Sequence, residues 1–470
     1  MSKFQSDLTQ GNVAKNLIRF SLPFLAANFL QAMYNLCDMV IVGNFFGPVG
    51  ASAVGIGGQL TFLVINIISG LAVGGTVVIA QLLGSKQDDA LGKTLGTIFT
   101  QYAIAALIFT VLMFILNPII LGALTKESPD IVYSEALKYV NICTAGNIFI
   151  FGYNAVSAVL RGMGDSRHPL MFVAVATVVN IILDLIFVGP LAMGAAGAAL
   201  ATIIAQAISF VMSIIFLKKK NFVFDFRLKS FRIDKSISRR ILKIGIPASL
   251  QGALVTISFM VLTFVADTVA DVAGTTAISV VGKINSVAIL PAIAMQMSVS
   301  SIAGQNFGAN KPKRAYNTML IAIGLTFAFS LMMFAIANLI PNQIVKLFIG
   351  SETTGLTAEQ AARCLTDSAA YLKSMSLDYL VVAIVFNISG LAIAAGQTWF
   401  SLLSAVISSL AFRIPAAILL GIKMQLGMSG LGYAAPIATT GALIVGIVYL
   451  ASGIWKRKRT DIIPPALTDA

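Results

Sequence analysis

The stretch Gly50-Ala51-Ser52-Ala53-Val54-Gly55-Ile56-Gly57-Gly58 returns as Gly274-Thr275-Thr276-Ala277-Ile278-Ser279-Val280-Val281-Gly282, 224 residues later. Outward from it the same offset aligns Pro23 with Pro247, Gln81 with Gln305 and Gly84 with Gly308, without a gap. Farther along the offset lengthens to 232–233, pairing Gly164 with Gly396, Gly194 with Gly427 and Gly197 with Gly430. Each half is therefore a copy of one ancestral block. The most polar segment, from Lys218 to Lys243, falls between the copies and reads as a linker. The expected organisation is an N-terminal lobe over 1–217, a basic linker over 218–239, a C-terminal lobe over 240–454 and a tail over 455–470.

Both copies are made for hydrocarbon. The chain is 57% hydrophobic and 11% charged, with a mean hydropathy of +0.90, too apolar to cover a water-facing surface. Long apolar runs are expected to span near 16–43, 50–80, 93–118, 136–160, 169–190, 194–217, 240–267, 273–302, 315–340, 371–394, 398–421 and 428–454. They are continuous and contain Gly and Pro, which favours helices over the short alternating segments of a barrel. The predicted fold is an all-α polytopic membrane protein of about twelve helices, six per lobe. Six helices followed by six in the same orientation is the pattern of a transporter with parallel repeats and a cavity between the bundles.

The +13 formal charge does not imply nucleic acid, because the basic residues mark one membrane face. Of 32 Lys and Arg, 24 fall on the side that holds both termini and six on the other. An even helix count with that bias predicts a plasma (inner) membrane protein with cytoplasmic termini; anionic-lipid contact is a secondary expectation. No cleavable signal peptide is expected, since the first apolar segment is long and contains Asp38. Cys37, Cys143 and Cys364 have no metal or disulfide spacing. His168 is the single histidine and precedes Pro169 at a turn, which leaves a His-based metal site or triad little to draw on.

The acids inside the spans carry the chemistry. Asp38 lies in the run 32–42, with Asn35 and Tyr34 three and four residues before it. Asp184 lies in 178–188, with Asn180 four residues before it. In a helix these spacings put each acid and its amide on one face. An Asp at a helix centre costs about 2.5–3.5 kcal/mol on insertion scales, so two in one lobe are expected to pair, to protonate or to bind a cation. Asp38 aligns with Leu262, so the acid is kept in one copy only. In the second copy, Lys283 and Asp378 form a candidate internal ion pair, and Arg413, before Pro415, a candidate packing residue.

With Asp38, Tyr153-Asn154, Arg161-Gly162-Met163-Gly164-Asp165, Asn180-Ile181-Ile182-Leu183-Asp184 and the Gly194–Thr202 segment, the chain resembles the MATE family of multidrug and toxic compound extrusion transporters. The resemblance runs from about Lys15 to Lys456. It implies a cation-coupled antiporter, driven by H⁺ or Na⁺, that exports drugs by alternating access, with an N-lobe site at Tyr34, Asp38, Asn154, Asn180, Asp184 and Thr202. Sodium, if it is the coupling ion, is expected at Asp38, Asp184 and Asn180; no other cofactor is implied. The family's C-lobe sodium site is not matched, because its two acidic positions fall on Val255 and near Val382. Pro23 is the expected hinge of the first helix. Amphipathic organic cations are the expected substrates, in a cavity lined by Phe29, Tyr34, Phe151 and Tyr153, and a monomer is expected. Two alternatives remain: a flippase for lipid-linked precursors, and an intramembrane prenyltransferase using Asp267 and Asp271 as a magnesium-binding pair.

Overall fold

The computed structural model describes residues 5–125, 129–219, 222–349 and 357–456, and every regular element among them is helical. Lys3, Lys126 and nearly all of the predicted tail, 457–470, lie outside the described residues. The first element, α1 (Val13–Gly84), has two arms meeting at Gly47, whose φ of 66° and ψ of −163° are open to glycine at no steric cost. The corresponding long element of the second copy, α7 (Lys235–Gly308), breaks at Ala270 and Asp271, with φ 47° and ψ −136° at the aspartate. Asp271 stands 224 residues after Gly47. Eight further left-handed positions pair across the two copies: Lys86 with Asn310 (φ 58° and 56°), Gly164 with Gly396 (84° and 70°), Ala192 with Gln425 (49° and 53°), and Gly194 with Gly427 (59° and 60°). The duplication read from glycines thus extends to backbone torsions.

Between these long elements lie α2 (Asp88–Leu124), α3 (Asp130–Ala145), α4 (Asn147–Gly162), α5 (Arg167–Val188) and α6 (Gly194–Lys219). After α7 come α8 (Pro312–Leu339), α9 (Pro341–Ile349), α10 (Ala358–Met375), α11 (Leu377–Ala394), α12 (Thr398–Lys423) and α13 (Gly427–Ser452). Among the described residues ten helices are long and apolar enough to cross a membrane, or eleven when α3 and α4 count as one span. Counting the two arms of α7 separately gives the twelve expected.

Two expected spans are not single helices. The run at 136–160 is α3 and α4, bent by 51°. The bend is at Gly146, where a Cβ would fall 2.2 Å from the Ile203 side chain of α6. In the second copy the expected span at 371–394 is likewise divided at Ser376, between α10 and α11. The packing repeats too: α2 on α4, α3 on α6 and α4 on α6 in the first copy match α8 on α11, α10 on α13 and α11 on α13 in the second. α12 contains wide π-helical turns over Ile407–Arg413 and Ala417–Lys423. Such turns accommodate an added residue within a helix, and the offset grows by one, from 232 to 233, between Gly396 and Gln425.

By contacts the chain forms two units, one containing Leu22–Ser249 and the other Thr9–Ser21 with Leu250 onward. Within the first, the opening turns of α7 lie so close to the second arm of α1 that a Cβ on Gly74 would fall 2.4 Å from the Ile241 carbonyl oxygen. The linker is packed as well. Thr97 on α2 donates to the Arg232 carbonyl (3.3 Å) and accepts from the Asp234 N–H (3.1 Å), and Phe99 meets Phe224 with ring centroids 5.5 Å apart. Asp225 holds the linker turn by accepting from the Arg227 N–H at 3.1 Å. Hydrogen bonds from Ser230 first, then from that N–H, keep its carboxyl below its ordinary range. In the second unit, Arg314 donates to the carbonyls of Gln10 and Gly11 at 2.7 and 2.8 Å. On α2, Leu107, Val111, Ile115 and Ile119 recur every four residues and are 62–65% exposed, a face suited to lipid.

Candidate cation site

The first arm of α1 carries Tyr34 and Asp38 one helical turn apart, and α5 carries Asn180 and Asp184 at the same spacing. α6 brings Thr202 between them. Its hydroxyl donates to Asp38 Oδ2 at 3.2 Å and accepts from Asn180 Nδ2 at 3.4 Å. The Asp38 and Asp184 carboxyls lie beside each other. All five side chains are buried, and Asp184 has no exposed surface.

The site is rich in acceptors and poor in donors. Asp38 Oδ1, both Asp184 oxygens and Asn180 Oδ1 are buried without a hydrogen-bond partner. Among the described residues neither acid forms an ion pair with Lys, Arg or His. Burying one ion costs several kcal/mol, and two like charges side by side cost more unless something neutralises them. A proton between the carboxyls would do so. A monovalent cation would do so as well, because the four unpartnered atoms are hard oxygen donors on α1 and α5. The residues therefore fit either ion.

The other expected site residues lie as follows. Asn154 donates its amide to the Ile150 carbonyl of its own helix at 2.8 Å. Tyr153 donates to the Pro169 carbonyl at 3.2 Å and ties α4 to α5. Phe151 is fully buried against Tyr102 and Phe109, and it lines an apolar cavity within the first unit. Phe29 is 46% exposed. Pro23 lies inside the first arm of α1, half-buried, with helical torsions continuing on both sides.

The second unit holds a polar cluster that its acids only partly announced. Asp378 on α11 accepts from Thr439 on α13. The cation lining the same cavity, of about 110 Å³, is Arg413 and not the expected Lys283. Arg413 donates from Nη1 to Ser258 at 2.8 Å and lies 4.5 Å from the Phe259 ring centroid, and its Nε has no partner. Val255 and Val382 line this cavity too. The missed signal was the repeat itself, since the 233-residue offset places Arg413 on Asn180.

The MatE family model matches residues 23–186 and again 247–419, two segments that begin 224 residues apart, as the repeat does. The chain belongs to the MatE family. Its members are transporters and not enzymes, so the reading of Asp267 and Asp271 as a catalytic magnesium pair is set aside. Asp271 marks the break in α7. This MatE chain is 29% identical over 453 residues to the probable multidrug resistance protein YpnP of Bacillus subtilis, covering 96% of this chain and 97% of that one. It is 23% identical over 468 residues to the probable multidrug resistance protein NorM of Thermotoga maritima, with 95% and 94% covered. Its fold matches a multidrug resistance MATE family transporter of the MOP superfamily in an outward-facing conformation, with a TM-score of 0.86 at 24% identity over 96% of this chain and 98% of that one. A MOP superfamily transporter from Pyrococcus furiosus, described as having a binding pocket of reverse polarity, matches at a TM-score of 0.88 and 23% identity, again over 96% and 98%.

Proposed function

We propose that this MatE transporter is an antiporter that exports amphipathic organic cations in exchange for H⁺ or Na⁺, with Asp38 and Asp184 as the coupling acids. The observation that supports this reading best is the set of four buried oxygens on Asp38, Asp184 and Asn180 that no protein donor satisfies. A purely structural polar cluster would satisfy its acceptors, because each buried orphan costs about 1–3 kcal/mol. A site that loads and releases a cation has to leave them open. The names of the relatives from Bacillus subtilis and Thermotoga maritima support multidrug resistance as the physiological role. The excess of Lys and Arg on one face supports cytoplasmic termini.

Neutralising Asp38, by a proton or a bound cation, would let α1 bend or repack and shrink the drug space beside it, so cation and drug compete through the conformation of α1. Linkage then makes each lower the other's affinity by the same factor. The test is efflux of a fluorescent organic cation from proteoliposomes under separately imposed pH and sodium gradients. Wild type is expected to respond to one of the two gradients and Asp38→Asn to neither. Binding of anionic lipid-linked sugars, without transport of any cationic dye, would replace this reading with the flippase.

A further inference from the structure

We propose that the first unit holds one acyl chain of an anionic phospholipid in a groove between α2, α4 and α6, with the headgroup phosphate at Lys218. The groove has a volume of about 420 Å³, within the range of built ligand sites. Its walls include Tyr102 and Ala103 of α2, Ala155 of α4, and Phe210 and Ile215 of α6, and they are almost wholly apolar. From Phe210 to Lys218 the groove follows α6 for roughly 12 Å, at 1.5 Å per residue. That is an elongated shape suited to a hydrocarbon chain. An empty apolar groove would forfeit dispersion contacts along its whole lining.

Polar features gather at the end where α6 meets the linker. The Lys218 ammonium lies 5.8 Å from the Phe226 ring centroid. Phe226 has a positive φ of 53° and is held in the turn fixed by Asp225. Its ring packs 5.8 Å from Phe99 and 5.1 Å from Phe224, so the linker forms part of the wall. A cationic rim repels the organic cations proposed as substrates and attracts a phosphate. Lys219, Arg227 and Lys229 continue the basic surface beyond the groove, which favours a phosphodiester headgroup over the single carboxylate of a fatty acid. None of the groove's residues belongs to the acid cluster, and of the four residues expected in the drug cavity only Phe151 lines it.

Native mass spectrometry of the delipidated full-length protein, titrated with phosphatidylglycerol, phosphatidylcholine or oleate, tests the assignment. Wild type is expected to retain phosphatidylglycerol at least about fivefold more tightly than phosphatidylcholine, the worth of one lysine near an anionic headgroup. Lys218→Glu is expected to remove that preference. Ala103→Trp and Ile215→Trp, both at exposed positions on opposite walls, should displace the chain, whereas Ile119→Trp on the open face of α2 should not. Equal binding of phosphatidylglycerol and phosphatidylcholine by wild type would overturn the proposal. So would unchanged phosphatidylglycerol retention in Lys218→Glu and both tryptophan variants. Tighter, Lys218-dependent retention of oleate would also overturn it, by moving the site to free fatty acids.

Discussion

Replacing Asp184 by Asn is expected to stabilise the first unit while stopping gradient-driven efflux. Asp184 has no exposed surface, neither of its oxygens has a donor, and Asp38 Oδ1 beside it is equally unsatisfied. An amide of the same shape introduces a donor that can reach Asp38 and removes one of two adjacent acids. A hydrogen bond to a charged group is worth about 1.5–3 kcal/mol. Allowing for imperfect geometry, the gain should be about 1–3 kcal/mol, or roughly 2–10 °C in Tm for a unit of this size. Such an opposition of stability and activity is typical of functional sites.

The protein offers a local reporter for the measurement. Both tryptophans, Trp399 and Trp455, are in the second unit, whereas Cys143 is buried in the first at 2% exposure. With Cys37 and Cys364 replaced by Ser, reaction of Cys143 with a thiol-reactive dye during heating reads the first unit alone. Dye efflux from proteoliposomes is measured on the same preparations. A lower Tm together with lost efflux would make the acids structural, and undiminished efflux would remove Asp184 from coupling.

Thr202→Val removes the donor to Asp38 Oδ2 and the acceptor for Asn180, and it is expected to slow gradient-driven efflux about tenfold, the lower end for a charge-assisted hydrogen bond; wild-type rates would place Thr202 outside the site. Pro23→Ala restores a backbone donor within α1 close to where that helix passes from one contact unit to the other, and it should weaken the mutual effect of cation and drug affinities while both still bind. An unchanged coupling factor, measured as drug affinity against pH and sodium, would exclude bending at Pro23. Asp271→Gly relieves a non-glycine residue at φ 47° and ψ −136°, a region that costs about 1–3 kcal/mol, and should raise the thermal midpoint read by tryptophan fluorescence. A lower midpoint would show that the aspartate side chain contributes more than its backbone costs.

The features legible in the sequence were those carried by residue type and spacing. The repeat, the number of spans and the two buried acids each follow from a period or a composition, and all describe elements that the structure contains. That Asn180 and Asp184 share a face needs only helical geometry. What brings them to Asp38 is Thr202, 164 residues from it along the chain; that residue entered through the family resemblance, because no local pattern marks it. The bend at Gly146 depends on how closely Ile203 approaches, which glycine alone does not announce. Arg413 was harder still. Its partners Ser258 and Phe259 are polar and aromatic residues common in any span, and only the contact makes them a cluster.

Superposing the two copies through their offsets shows why the proposed cation site would belong to only one of them. Leu262 stands for Asp38, Ala417 for Asp184 and Ala435 for Thr202, and all three are fully or almost fully buried in one apolar core of the second unit. The position that offers oxygens in the first copy is packed hydrocarbon in the second, where an unpaired ion would cost several kcal/mol. Ser258 stands for Tyr34 and Arg413 for Asn180, and these two are joined at 2.8 Å. In the second unit a positive charge is therefore covalently tethered beside the place where the first unit offers open oxygens. A guanidinium fixed to the backbone cannot exchange across a membrane. This favours coupling through the first unit alone, with the second repeating the scaffold and its turns but not the chemistry.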